Sequence, residues 1–266
     1  MEITKPIYFD RFRCLAGDCP DSCCKDWQGQ VDASSACRYR ALAGKLGDDL
    51  RSVLREEDGE VYLTIRDGRC PMWRQDGLCR IQAELGEGAL CETCRQFPRL
   101  THDYGDFVER GLELSCPEAA RWILEEPQGY VTEEVPGGEA AQYDREAMAV
   151  LKRTRAKALE ILAESDISKA LALLLLYGCQ AQGELDGEAE RPFDRAAAWE
   201  TAKAMARPGD PAAVLEFFSG LEILTDTWRR RLHTPEPGDW DRRTENLLRY
   251  LVNRYWLQAV SDYDLY

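Results

Sequence analysis

Histidine is nearly missing from this 266-residue chain, which has only His102 and His233. Zinc sites of mixed cysteine and histidine ligands are therefore largely excluded. Basic charge is also short: 34 Lys and Arg face 48 Asp and Glu, for a formal net charge of −14. General nucleic-acid binding needs a net basic face, so no nucleic-acid partner is expected. Long apolar runs are lacking too. The longest, ALALLLLYG from Ala170, falls far short of the ~20 residues of a membrane span and reads as one buried face of a helix. The opening, MEITKPIYFDRF, carries charges and a proline where a secretory signal would be apolar. A cytoplasmic protein without a membrane partner is expected, and in that compartment thiols stay reduced and structural disulfides are rare.

Cysteine, by contrast, is abundant and unevenly placed. Of eleven, ten lie at or before Cys116 and only Cys179 follows. Cysteines serving as small buried hydrophobes would scatter through the chain. Clustered cysteines in a reduced compartment point instead to metal ligation. The order is Cys14-x4-Cys19-x3-Cys23-Cys24, then Cys70, Cys79, Cys91-x2-Cys94 and Cys116. Cys91 and Cys94 have the spacing that lets one turn present two sulfurs to one ion. A redox dithiol shares that spacing, but it would sit in a βαβ pattern that the sequence does not offer.

Cys19, Cys70 and Cys116 each precede proline, as a cluster ligand of bacterial ferredoxins does, although the C-x2-C-x2-C run of those proteins is absent. An iron–sulfur cluster of the 4Fe–4S type is favoured on this ground, and a zinc site of four cysteines stays open. The C-x3-C-x2-C motif of radical S-adenosylmethionine enzymes fails here, because Asp26 stands where its third cysteine would be. By spacing, Cys70, Cys79, Cys91 and Cys94 form a first group. The N-terminal cysteines and Cys116 form a candidate second. Adjacent Cys23 and Cys24 can hardly both face one centre without strain.

The fold expected is α+β: a small cysteine-rich metal-binding module with short β-hairpins over residues 1–125, a linker at 126–142, and a mainly α-helical region at 143–266. VYLTIR from Val61 alternates as a strand does and, with the Asp67-Gly68 turn, predicts a hairpin whose second strand holds RCPMW. DFVERGLELS from Asp106 predicts another strand. SSACRYRALAGKLGDDLRSVLRE predicts one helix capped by Ser34 or Ser35. The Pro-, Gly- and Glu-rich stretch from Glu125 to Gln142 predicts the linker. Beyond it, REAMAVLKRTRAKALEILAE, ISKALALLLLYGCQAQ, RAAAWETAKAMA, PAAVLEFFSGLEILTDTWRRRL and RRTENLLRYLVNRYWLQAVSDY repeat apolar residues at helical spacing. The aromatic ending is expected to be core.

The segments CPDSCCKDW, RCPMW, DGLCRIQAELGEGALCETCRQFPR and LELSCPEAARWIL resemble the flagellin lysine N-methylases, within a wider group of zinc- or iron-chelating cysteine-cluster proteins. The resemblance is close from Ile7 to about Leu124 and looser through TENLLRYLVNRYWLQAVSDYDL. It implies an S-adenosylmethionine-dependent methyltransferase acting on flagellin lysines, with a cysteine-held iron–sulfur cluster. A non-enzymatic chelating module is the alternative. The implied ligands are Cys14, Cys19, Cys23, Cys24, Cys70, Cys79, Cys91, Cys94 and Cys116. Cys37 and Cys179 fall outside the motifs and are expected to be small buried residues. Family members run on past the last helical block, whereas this sequence ends at Tyr266, as a short or truncated form would. No GxGxxG opens a helix after a strand, so the residues that bind the methyl donor are not identified. No catalytic residue is assigned either. Tyr62 and Tyr104 have hydroxyls able to orient an amine, each with a simpler packing role. Arg95 and Arg99 flank the CxxC segment and are suited to offset thiolate charge.

Overall fold

The computed structural model of the chain describes residues 1–20, 23–24, 28–164, 166–206, 211–221, 226–233 and 241–265. They fall into two compact units, Met1–Gln142 and Tyr143–Tyr266. The first is mixed: β1 (Glu2–Pro6), β2 (Gly29–Val31), α1 (Ala33–Ala41), α2 (Gly44–Val53), β3 (Leu54–Glu57), β4 (Glu60–Leu63), α3 (Arg80–Leu85), α4 (Glu92–Gln96), β5 (Arg99–Asp103), β6 (Phe107–Leu112), α5 (Pro117–Glu125) and β7 (Tyr130–Glu134).

These strands make two small sheets, ordered β5-β6-β1-β7 and β2-β4-β3. In the first, β1 runs parallel to β6, with Ile3 opposite Val108, and antiparallel to β7 along its whole length. Lys5 is buried there, and its ammonium is held by Asp10 at 2.6 Å and Glu133 at 2.8 Å. Residues 126–142, whose composition suggests a linker, thus contribute an edge strand. In the second sheet β4 pairs with β3 and β2.

The hairpin differs from the one expected. β4 turns back on β3 through Asp58 and Gly59, whose φ angles of 52° and 83° suit a two-residue hairpin turn. The Asp67-Gly68 turn also forms, closed by reciprocal bonds between Arg66 and Arg69 at 2.9 and 3.0 Å, but it carries a single bridge and no ladder.

The single helix expected from Ser34 onward is two. α1 ends at Leu42, where the backbone becomes extended, and α2 begins after Ala43. Arg51 Nη1 donates to the carbonyls of Arg40 and Leu42 at 3.0 and 2.6 Å and closes the corner. Gly47 packs so tightly against it that a Cβ would sit 1.9 Å from the Leu42 oxygen. The cap of α1 is Asp32, two residues before Ser34 and three before Ser35, with Oδ1 accepting from Ser35 N at 2.9 Å. Beneath these elements Val31, Leu50, Val53, Leu63, Met72, Ile81 and Cys91 are buried in one cluster, with Cys70, Cys79 and Cys94 packed on it.

The second unit is helical: α6 (Arg145–Ile161), α7 (Ile167–Leu185), α8 (Arg195–Met205), α9 (Pro211–Ser219), α10 (Asp226–His233) and α11 (Arg242–Tyr255), then a short 3-10 turn at Trp256–Val260. Asp144, Asp166, Asp194 and Asp241 cap four of these helices with their carboxylates. In α7, Ala170, Leu173, Tyr177 and Ala181 form the buried stripe that three- and four-residue spacing predicts, while Leu175 is exposed. PAAVLEFFSGLEILTDTWRRRL appears as α9 and α10, its residues 222–225 lying outside the described ones. Tyr250, Val252, Leu257, Ala259 and Val260 are buried, and Trp256 Nε1 donates to Thr154 Oγ1 at 3.0 Å, but Tyr255 and Tyr263 are exposed, so the aromatic ending is core only in part. Among the described residues no helix is long and apolar enough to cross a membrane.

Candidate functional site

A cavity of about 640 Å³ in the first unit is lined by Cys14, Cys19, Cys23, Cys24, Cys70, Cys79, Cys91, Cys94 and Cys116. These are the nine cysteines that the motifs single out. Cys37 and Cys179 lie elsewhere and, against the expectation of burial, both are exposed. Neither histidine is among the lining residues; His102 is in β5 and His233 ends α10. Tyr62 and Tyr104 do not line the cavity either: Tyr62 is hydrogen-bonded to Glu60, and Tyr104 stacks on Phe107 with ring centres 4.6 Å apart. All cysteines are free thiols. They stand apart around the space: among the described residues no group of three or more His, Cys, Asp or Glu side chains converges closely enough to hold an ion. Asp26, where the radical-enzyme motif breaks, lies outside the described residues.

Local structure explains how distant thiols reach one wall. Cys70 N donates to Cys24 O at 2.7 Å, fastening the N-terminal cysteines to the middle segment. Trp73 bridges to Cys79 across a tight turn, so Cys70 and Cys79 lie on neighbouring backbone. Cys79, Cys91 and Cys116 each occupy the N-cap position of a helix, α3, α4 and α5. Pro117 follows as the first residue of α5, where its missing N–H is no loss. That accounts for one Cys-Pro pair by helix capping, independently of any ligand role.

The α4 end is held by α1. Asp32 Oδ2 accepts from Glu92 N at 2.9 Å, while its Oδ1 accepts from Ser35 N and from Ser34 Oγ at 2.7 Å. Tyr39 OH donates to Ala89 O at 2.7 Å and Arg38 Nη1 to Gly88 O at 3.3 Å. One short helix therefore fixes residues 88–92 on the approach to Cys91.

The hydrogen bond from Ser34, then those from Glu92 and Ser35, hold the Asp32 carboxyl far below the usual carboxylate range. A depressed folded-state pKa means that its contribution is complete above the unfolded value of ~4 and fades as pH falls below it. Asp32→Ala is expected to cost about 1–2 kcal/mol at pH 7 from the lost cap. In urea melts that gap should narrow below about pH 4; a gap that is constant down to pH 3 would contradict the assignment.

The electrostatics of the thiols follow from burial and crowding. Burial pushes Cys70, Cys79 and Cys116 up. The interaction between the Cys91 and Cys94 thiols, more than burial, holds Cys91 down and pushes Cys94 up. The strongest sulfur neighbours of Cys70 are Cys79, Cys91 and Cys23, and those of Cys94 are Cys91, Cys24 and Cys70. Cys116 instead feels Cys19 and Cys14. Spacing alone places Cys23 and Cys24 with the N-terminal group. The structure sets them beside the central one, where they neighbour different members of it.

No family model matches the chain, and no solved structure matches it. Among curated proteins, it is 36% identical over 141 residues to a lysine-N-methylase of Salmonella typhimurium, covering 50% of this chain and 35% of that protein. A lysine-N-methylase of Salmonella choleraesuis is 35% identical over 141 residues, with the same shares. The flagellar biosynthetic protein FliU of Salmonella muenchen is 36% identical over 134 residues, covering 47% of this chain and 78% of that protein. The match thus spans about a third of the methylases' length and most of the FliU protein. With its cysteine motifs gathered on one cavity and these relatives beside it, the chain belongs to the flagellin lysine N-methylase family.

Proposed function

We propose that this chain takes part in S-adenosylmethionine-dependent methylation of flagellin lysines in the cytoplasm, and that its first unit is built around a cysteine-held metal centre. The observation that carries the second part is the sorting of the thiols. All nine motif cysteines border one cavity, and the two outside the motifs do not. The donor set fits a soft, thiophilic centre, since it is rich in sulfur and free of imidazole. Burial opposes ionisation of Cys70, Cys79 and Cys116, and the neighbouring Cys91 opposes that of Cys94, so thiolates in this space call for compensating positive charge. A metal centre supplies it. Cys70, Cys79, Cys91 and Cys94, with Cys23 and Cys24 beside them, would hold that centre, and Cys14, Cys19 and Cys116 form a smaller set across the cavity. An iron–sulfur cluster is the favoured occupant and four-thiolate zinc the alternative.

Methyl transfer asks for a neutral lysine amine in line with the methyl of the sulfonium: the N–C bond forms as the C–S bond breaks, and the amine's proton leaves to solvent or a nearby base. The names of the relatives support this activity. Incubation of metal-replete protein with flagellin and S-adenosylmethionine is expected to add single-methyl increments to lysine, read by mass spectrometry. A second reading, a non-enzymatic chelating module, is favoured by one observation: every cavity cysteine belongs to the first unit. Full metal content without any methyl increment would favour that module.

A further inference from the structure

The thiol cavity is also lined by three arginines, Arg13, Arg95 and Arg99. They come from the loop before Cys14, from α4 and from the start of β5. Arg13 Nη1 and Arg99 Nη2 both donate to the Phe12 carbonyl oxygen, at 2.7 and 3.4 Å, so the two cations stand side by side. Arg99 also lies over the Phe12 ring, 5.2 Å from its centre, and Arg13 reaches the Asp10 carbonyl at 2.8 Å. Among the described residues none of the three has a carboxylate partner. Three carboxylates share the cavity, Glu87, Glu113 and Glu118. Glu118 is taken up by Arg121 at 2.7 and 2.8 Å and by Trp122 Nε1 at 2.7 Å.

We propose that Arg13, Arg95 and Arg99 form a carboxylate-binding subsite, and that its ligand is the α-carboxylate of the methyl donor; the assignment rests on the methylation reading above. The complementarity is chemical. Guanidinium groups present planar forks of donors that match a carboxylate. S-Adenosylmethionine carries one carboxylate and two cationic centres, the ammonium and the sulfonium. The wall offers forks for the first, and Glu87 and Glu113 as counter-charges for the others.

The test is calorimetry on the full, metal-replete chain, titrated with S-adenosylmethionine and with its decarboxylated analogue. Charge-assisted hydrogen bonds are worth about 1.5–3 kcal/mol, so loss of the carboxylate is expected to weaken binding about 10- to 100-fold. Arg99→Gln should weaken the donor by a similar factor and leave the analogue nearly unchanged, because the two changes remove the same contact. The ligand comparison needs no variant and so does not depend on how well Arg99→Gln folds. Equal binding of the two ligands by the natural chain would overturn the subsite while leaving methyl-donor binding intact. Equal weakening of both ligands in Arg99→Gln, with metal lost, would assign the arginine to the thiolates and overturn it as well. No binding of S-adenosylmethionine at all would overturn it together with the methylation reading.

Discussion

A Cys91→Ser variant is expected to lose most of the metal of the first unit, to below about a tenth of the natural content, together with much of that unit's stability. Cys91 is the most buried of the cavity cysteines, at 1% exposure, and belongs to the hydrophobic core as well as to the thiol wall. It occupies the N-cap position of α4, with Cys94 one turn on in the same helix. Metal binding in small thiolate sites is folding energy, about 10–16 kcal/mol in zinc-finger peptides, and a hydroxyl replaces a thiolate poorly for a soft ion. Cys37→Ser and Cys179→Ser should leave metal content unchanged, since both side chains are exposed away from the cavity. Elemental analysis and thermal unfolding of the three variants check this. Retention of full metal by Cys91→Ser would remove that cysteine from the ligand set.

The second large effect separates the two units. Leu50→Ala and Leu173→Ala each empty a fully buried site, and each is expected to cost about 2–5 kcal/mol. Leu50 lies in the cluster on which Cys70, Cys79 and Cys94 pack, so its loss should also lower metal occupancy. Leu173 belongs to the core of the helical unit with Ala158, Ile161 and Tyr177, and its loss should leave occupancy at the natural level. Denaturant melts with metal analysis on the same samples give the comparison. An equal fall in occupancy for both variants would contradict it.

The helical half was legible because its signal is local. Ala170, Leu173, Tyr177 and Ala181 recur at the helical period, and aspartates sit at the starts. β7 carries no such signal: Tyr130–Glu134 is exposed throughout at the sheet edge, so no apolar alternation marks it, and its composition mimics a linker. The parallel pairing of β1 with β6 joins residues about a hundred positions apart, which no short-range pattern encodes. Asp58-Gly59 was as good a turn signal as Asp67-Gly68; what decided between them was the partner, LREE, whose single buried residue, Leu54, faces Leu63. The cysteine set could be read from spacing and motif. Its grouping could not, because the contact of Cys70 with Cys24 depends on the path of the intervening chain. Asp32 was missed for a similar reason: Ser34 and Ser35 looked like equal caps, and the bond that distinguishes Asp32, from Glu92 N, crosses sixty residues.

X-ray absorption at the metal edge, on protein purified without oxygen, puts the central claim to the most direct test. Sulfur neighbours at about 2.3 Å with no nitrogen or oxygen shell are the expected result, with iron and labile sulfide at about four each if the centre is a cubane. Folded protein free of metal, or a metal surrounded by nitrogen and oxygen, would contradict the account.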